Sequence, residues 1–226
     1  MVDAQHPAVT HDAVRVLIVD DHDLFRAGLR QLLEEQERVH VVGEASGGAQ
    51  AVQLVSESAP DVVVMDLNMP GMSGVEATRQ ISSLAPLTRV VVLTISDQDS
   101  DVMDAILAGA CGYLLKDSSI QELMAGIRAA SHGESLISPT IAAKVLQRVR
   151  ATSTQPEIAN TIRAELSDRE IEVLKLIANG KDNAVIAAEL HISPKTVKNH
   201  ISNILMKLQI DNRIQAAVYA VRSGIV

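Results

Sequence analysis

Asp20 and Asp21, Asp66, Thr94 and Lys116 each stand where an apolar, β-branched run stops: VRVLIVDD, DVVVMD, RVVVLT and GYLLK. If these runs are parallel strands joined by helical crossovers, their ends meet along one edge, where such sheets bind ligands. Three carboxylates gathered there repel one another unless a divalent cation joins them. An all-oxygen donor set of this kind suits Mg²⁺. A cation, a nucleophilic carboxylate, a hydroxyl and an ammonium group are together the parts needed to accept a phosphoryl group. The spacing reads as a phosphorylation switch.

The elements that must position these groups are visible as alternation. Short runs at 14–19, 39–44, 61–65, 89–93 and 112–115 have strand character, and helix-length amphipathic stretches fall at 23–35, 48–58, 74–84, 99–108 and 119–132. In the first helix Phe25, Leu29, Leu32 and Leu33 mark one buried stripe. Strands alternating with helices predict a five-stranded parallel sheet covered on both faces, and the almost wholly apolar strands agree.

The rest of the chain differs. Residues 133–165 read as a linker with a short helix from Ser138-Pro139 through Arg150, burying Ile141, Val145, Leu146 and Val149, followed by the small, polar ATSTQPEIANT. From Leu166 onward the pattern is helical, and residues 166–226 read as a second, all-α domain. Its first helix opens on a capping box, Ser167 to Glu170, buries Ile171, Leu174, Ile177 and Ala178, and ends at Asn179-Gly180. A helix at 183–190 leads into His191-Ile192-Ser193-Pro194, a turn whose Ser193 caps and whose Pro194 suits the first helical position.

In the next helix, 194–208, Val197, Ile201, Ile204, Leu205 and Leu208 share one face. Lys195, Lys198, Asn199, Ser202, Asn203 and Met206 share the other, and that polar face carries no acid. An ordinary solvated helix mixes in Glu or Asp, whereas this one suits the major groove of DNA.

Composition sets limits on the whole. The 226 residues carry a net charge of −8, with three aromatics (Phe25, Tyr113, Tyr219), no Trp and one cysteine, Cys111. A single cysteine excludes an internal disulfide framework, and Cys111 reads as a small buried side chain. The start, MVDAQHPAVTHDAV, lacks the pattern of a secretory signal, and no apolar run approaches the roughly 20 residues of a membrane span. A cytosolic protein without membrane contact is the expectation. Charge is divided: residues 1–133 hold eight Lys/Arg against 19 Asp/Glu, and residues 134–226 hold 12 against nine. A basic end on an acidic chain points to a polyanion partner for that end alone.

VDDH, MDLNMPGMSG, VVVLT and GYLLKD, in that order, resemble the receiver domain of two-component response regulators, over roughly residues 14–132. The resemblance implies a flavodoxin-like doubly wound fold with Asp66 as phospho-acceptor, served by a sensor histidine kinase or a small phosphodonor. It implies that Asp21, Asp66 and the backbone carbonyl of Asn68 ligate Mg²⁺ directly, with Asp20 acting through water. Lys116 would neutralise phosphoryl charge, and Thr94 would hydrogen-bond a phosphoryl oxygen. Tyr113 matches the switch aromatic of the family, though ordinary strand packing would also explain it. Pro70, Gly71 and Gly74 serve positioning only, and His22 has no firm role. A rival reading, an aspartate-based phosphatase, needs a second Asp two residues after the nucleophile; here that position is Asn68, which cannot relay a proton.

LSDREIEVLKLIANGKDNAVIAAELHISPKTVKNHISNILMKLQ resembles the LuxR/NarL-type helix-turn-helix. By that resemblance Lys198, Asn199 and Ser202 are base-contact candidates, and Thr196, Asn203 and Lys207 are phosphate contacts beside Lys195 on the same polar face. Family members often carry a basic residue at the place of Ser202, which puts direct readout there in doubt. His200 sits at the helix flank. The last helix, 214–222, with Ile214, Ala217, Val218 and Val221 on one stripe, resembles the dimerisation helix of the family. A NarL/FixJ-type regulator follows: a homodimer when phosphorylated, on double-stranded DNA with paired half-sites. The charge division further suggests that the unphosphorylated receiver packs on the recognition helix and screens it. The remaining rival is a DNA-binding scaffold with a vestigial receiver, against which all five pocket residues speak.

Overall fold

Side chains alternate along β1 (Val14–Val19), so that Val16 and Ile18 enter one apolar layer and Leu17 and Val19 the opposite one. The same holds in β3 (Val62–Met65), where Val62 and Val64 face one side and Val63 and Met65 the other. Both faces are buried, which is why these strands carry no polar alternation. The computed structural model describes residues 13–96, 98–137, 141, 145 and 165–225. With β2 (Val39–Ala45), β4 (Arg89–Thr94), β5 (Gly112–Leu115) and β6 (Leu136–Ile137) the strands form one sheet, in the order β2-β1-β3-β4-β5-β6. Every neighbouring pair is parallel.

The sheet has one strand more than the sequence predicts. β6 pairs Leu136 and Ile137 with Gly112 and Tyr113. Two residues are too short to produce a strand pattern, so the receiver sheet runs past residue 132 into the stretch read as linker. Helices α1 (Asp23–Glu34) and α5 (Ile120–Ser131) cover one face through Leu29, Leu33, Leu123 and Ile127. On the other lie α2 (Gly48–Ser58) and α3 (Gly74–Leu84), through Ala51, Val55, Ala77 and Ile81, and α4 (Asp99–Leu107), through Val102 and Ile106. Leu32 of the predicted α1 stripe instead points outward and is half exposed. α3 and α5 both begin with complete capping boxes, Ser73–Glu76 and Ser119–Glu122.

The helix predicted from 138 to 150 lies mostly outside the described residues; within it Ile141 and Val145 are helical and buried. Among the described residues the helices with given bounds that follow are α6 (Asp168–Ala178), α7 (Asn183–Leu190), α8 (Pro194–Leu208) and α9 (Arg213–Arg222). The Ser167–Glu170 box caps α6, Asp182 caps α7, and Ser193 caps α8 with Pro194 in its first turn. Gly180 closes α6 at φ 74°, and His191 at φ 54° turns the chain between α7 and α8. Val173, Leu174, Ile186, Val197 and Ile204 form a separate core for this second domain. No helix among the described residues is long and apolar enough to cross a membrane.

Candidate functional site

The strand order reverses direction between β1 and β3: β2 lies to one side of β1, and β3 with the remaining strands to the other. Crevices open at such switch points beyond the carboxyl ends of the strands. Asp20 and Asp21 leave β1 there, and Asp66 leaves β3, with its amide donating to the Val19 carbonyl at 2.9 Å. Asp20 and Asp66 are each only 2% exposed. Lys116, one residue past β5, reaches across the edge and places Nζ 2.6 Å from Asp20 Oδ2 and 2.8 Å from Asp66 Oδ2. Burial by itself would lower the Lys116 pKa; the hydrogen bonds to Asp20 and Asp66 outweigh it and hold the ammonium above its ordinary value.

The remaining carboxylate oxygens are unequally served. Asp66 Oδ1 accepts from the Leu67 amide at 2.8 Å, and Asp20 Oδ1 accepts from the His22 amide at 2.8 Å. Asp21 Oδ1 is buried and accepts no hydrogen bond. The His22 Nδ1 lies 2.9 Å from it, an ion pair only with a protonated imidazole. One ligand atom from each of Asp20, Asp21, His22 and Asp66 can be chosen so that all lie within 4.8 Å of one another. A buried oxygen without a hydrogen bond, inside a cluster of three carboxylates and one imidazole, fits a divalent cation. Asn68 follows two residues after Asp66, exposed on the loop.

Thr94 ends β4 with its side chain fully buried, and its Oγ1 accepts from the Ser96 amide at 3.4 Å. Tyr113 is also fully buried, and its hydroxyl donates to the Ser96 carbonyl at 2.9 Å. One loop residue therefore binds both, which links Thr94 at the end of β4 to Tyr113 on β5.

Several residues of the site escaped the sequence reading. Phe25, read there as core, lies under Lys116 with Nζ 4.6 Å from its ring centre. Arg26 donates from Nη1 to the Asp20 carbonyl at 2.6 Å and pairs with Asp23 and Glu44. Gly74 is more than a loop residue: a Cβ on it would lie 2.0 Å from the Asp66 carbonyl oxygen and 2.7 Å from Leu67 Cα. A glycine eight residues downstream of Asp66, opening a capped helix, is the available clue to that close approach.

In the second domain, α8 lays Val197, Ile201, Ile204 and Leu208 into the core and leaves Lys195, Lys198, Asn199, Ser202 and Asn203 exposed. Thr196 is half-buried, its hydroxyl 2.8 Å from that of the capping Ser193. Lys207 donates to Glu170 at 2.8 Å, so the same carboxylate closes the α6 capping box and ties α8 to α6. Burial would raise the Glu170 pKa, but the Lys207 and Ser167 hydrogen bonds outweigh it and hold the carboxyl below its usual value. The two residues are 37 apart in sequence, which is why only the cap was legible.

The screening of α8 by the receiver is not what the structure contains. The acid-free face is exposed, and among the described residues it reaches toward the receiver through Lys198 to Glu134 at 3.2 Å, between two half-exposed side chains. Such pairs contribute little. The receiver is instead packed on α9, where Ile214 and Val218 join the α4 cluster.

A carboxylate-and-lysine pocket at the switch point of a doubly wound sheet, followed by a helix-turn-helix with a bare basic face, defines a two-domain signalling regulator. The chain belongs to the response regulators that carry a LuxR-type DNA-binding domain. The response regulator receiver domain family matches residues 16–128, and the luxR family of bacterial regulatory proteins matches residues 164–220. The chain is 47% identical over 214 residues to the transcriptional regulatory protein LiaR of Bacillus subtilis (strain 168), covering 94% of this chain and 99% of that one. It is 39% identical over 213 residues to the response regulator protein VraR of Staphylococcus aureus (strain NCTC 8325 / PS 47), with 94% and 99% covered. Among solved structures, the response regulator ChrA of a heme-sensing two-component system is 37% identical with a TM-score of 0.53, covering 95% of this chain and 100% of that one. RcsB, solved as dimers bound to DNA, is 26% identical with a TM-score of 0.55, covering 93% and 98%. The protein is a phosphorylation-dependent, DNA-binding transcriptional regulator, of a family of transcription factors rather than of enzymes.

Proposed function

We propose that Asp66 is the phospho-acceptor of this regulator and that its modification sets the pairing of two copies on DNA. The observation that carries the reading is Lys116 Nζ bridging Asp20 and Asp66 at 2.6 and 2.8 Å beside a buried Asp21 oxygen that accepts no hydrogen bond. Mg²⁺, held by Asp21, Asp66 and the Asn68 carbonyl, and by Asp20 through water, would neutralise charge on the phosphoryl oxygens. The Asp66 carboxylate attacks phosphorus, and the P–O or P–N bond to the donor breaks as the acyl phosphate forms. Lys116 leaves its Asp66 oxygen for a phosphoryl oxygen, staying charged because Asp20 keeps it so. The Thr94 hydroxyl hydrogen-bonds a second phosphoryl oxygen, which draws on the Ser96 loop and, through it, on Tyr113.

The donor is a sensor histidine kinase or a small acyl phosphate, and the protein works in the cytoplasm. Asn68 supplies no general base, so the acyl phosphate is lost slowly, by autodephosphorylation. On DNA, two copies pair through α9 and set their α8 helices in the major groove of paired half-sites. Lys198, Asn199 and Ser202 face base edges, while Lys195, Thr196 and Asn203 position the helix on phosphates. Lys207 reaches a phosphate only to the extent that Glu170 releases it.

Acetyl phosphate with Mg²⁺ is expected to add the mass of one phosphoryl group to the wild type and none to Asp66→Asn. An Asp66→Asn chain that binds promoter DNA as tightly as the phosphorylated wild type sinks the proposal.

A further inference from the structure

Asp20 is held through its backbone as well as its side chain. Its amide donates to the Ala45 carbonyl at 3.1 Å, its Oδ1 accepts from the His22 amide at 2.8 Å, and Lys116 Nζ lies 2.6 Å from its Oδ2. Its carbonyl, part of the peptide that joins it to Asp21, accepts from Arg26 Nη1 at 2.6 Å. Arg26 is fixed in turn: Nη2 donates to Asp23 Oδ1 at 2.6 Å, and Nε pairs with Glu44 Oε2 at 3.4 Å. The other oxygen of Glu44 accepts from Arg30 Nη1 at 2.6 Å. The Arg26 side chain is 15% exposed, so most of this fork is out of water. One planar guanidinium thereby joins the end of β1, the first turn of α1 and β2, which a single ammonium cannot do.

Asp21 lacks comparable support. Its Oδ1 is buried and accepts no hydrogen bond, and the exposed His22 imidazole beside it offers an ion pair only when protonated. The aim of Asp21 into the cluster therefore follows the plane of the Asp20–Asp21 peptide, whose oxygen Arg26 holds.

We propose that Arg26 is a positioning residue that keeps the Asp21 carboxylate in register with Asp20 and Asp66, and so makes the site select Mg²⁺ over larger divalent cations. This rests on the reading that these three carboxylates serve a cation. Mg²⁺ requires near-octahedral oxygens at about 2.0–2.1 Å, whereas Ca²⁺ accepts looser sets at about 2.3–2.6 Å. A carboxylate free to swing therefore costs Mg²⁺ more than Ca²⁺. Charge acts with the opposite sign: removing a cation from beside carboxylates favours any divalent ion, and favours two ions of equal charge alike. Positioning and charge thus separate in the ratio of the two affinities.

The test uses the full chain with no phosphodonor, titrated calorimetrically with MgCl₂ and with CaCl₂. In Arg26→Lys and Arg26→Met the Mg²⁺ affinity should fall about tenfold or more, the usual loss when a partner that orients a metal ligand is removed. Ca²⁺ affinity should fall less, so the Mg²⁺-to-Ca²⁺ ratio drops in both. Arg26→Lys keeps the charge and the aliphatic stem, and carries the test should Arg26→Met fail to fold. Arg30→Met removes a cation from the same helix but leaves the Asp20 carbonyl bonded, and should keep the wild-type ratio. The proposal is overturned by an unchanged ratio in the Arg26 variants, by an Arg26→Met chain that binds both ions more tightly, or by an equal drop in Arg30→Met. A wild type that binds neither ion overturns the cation reading and the selectivity with it. The peptide anchor is judged separately in metal-free protein, where exchange of the His22 amide, held on Asp20 Oδ1, should quicken in both Arg26 variants. Unchanged exchange there overturns the anchor even if the wild type takes up Mg²⁺.

Discussion

Gly74 abuts the backbone of Asp66 so closely that a Cβ on it would stand 2.0 Å from the Asp66 carbonyl oxygen. The first turn of α3 is thereby pressed against the loop that carries Asp66, with the Gly74 amide donating to the Leu67 carbonyl at 2.9 Å. The obstructing atoms are backbone and cannot swing aside.

Gly74→Ala is therefore expected to displace Asp66, lowering stability by about 2 kcal/mol or more, at the upper end of single substitutions. Phosphorylation by acetyl phosphate should slow in parallel. Chemical denaturation and mass spectrometry on the same preparation check both, and a variant with wild-type stability and rate contradicts the steric reading.

Lys116→Ala removes the cation shared by Asp20 and Asp66. Phosphoryl transfer to Asp66 should fall by roughly 10²–10³, the usual loss of one electrostatic donor. Mg²⁺ affinity should rise or hold, because two carboxylates are released from an ion pair. Single-turnover phosphorylation and calorimetric titration separate these effects.

Asp21 offers the buried oxygen without a hydrogen bond. Asp21→Asn should weaken Mg²⁺ binding by at least about tenfold, since ligand charge governs affinity at such sites, while leaving the fold intact. Equal Mg²⁺ affinity in wild type and variant would rule Asp21 out as a ligand.

Glu170 links acid stability to the second domain. Its folded pKa lies below its unfolded value, so its contribution is complete above about pH 4.3 and is lost as pH falls through the folded pKa. Glu170→Gln should cost about 1–3 kcal/mol at neutral pH and should flatten that acid limb in melts followed by circular dichroism.

Lys195 and Lys207 should behave differently although both are lysines of α8. Lys195 is exposed, so Lys195→Ala should reduce the salt dependence of DNA affinity by about one phosphate per half-site. Lys207 is engaged by Glu170, so Lys207→Met should lower the melting temperature more than it lowers the salt slope. Filter binding across a salt series decides between them.

The convergence of the pocket residues is legible in the linear order of the chain because a parallel sheet aligns its strand ends. Once VRVLIV, DVVVM, RVVVLT and GYLL are strands, Asp20, Asp21, Asp66, Thr94 and Lys116 have one edge to share. The caps at Ser167 and Ser193 and the two faces of α8 were equally legible, since helical periodicity and first-turn hydrogen bonds are local. What no local pattern carries is a contact between distant segments. That Lys116 rests on Phe25, that Glu170 ties Lys207, and that α9 rather than α8 meets the receiver depend on how elements pack when they are 37 to 109 residues apart in the chain. Net charge pointed to the basic α8, but screened surface charges are weak beside a buried apolar stripe held by the amide donors of Asn212 and Gln215, and packing decided the arrangement.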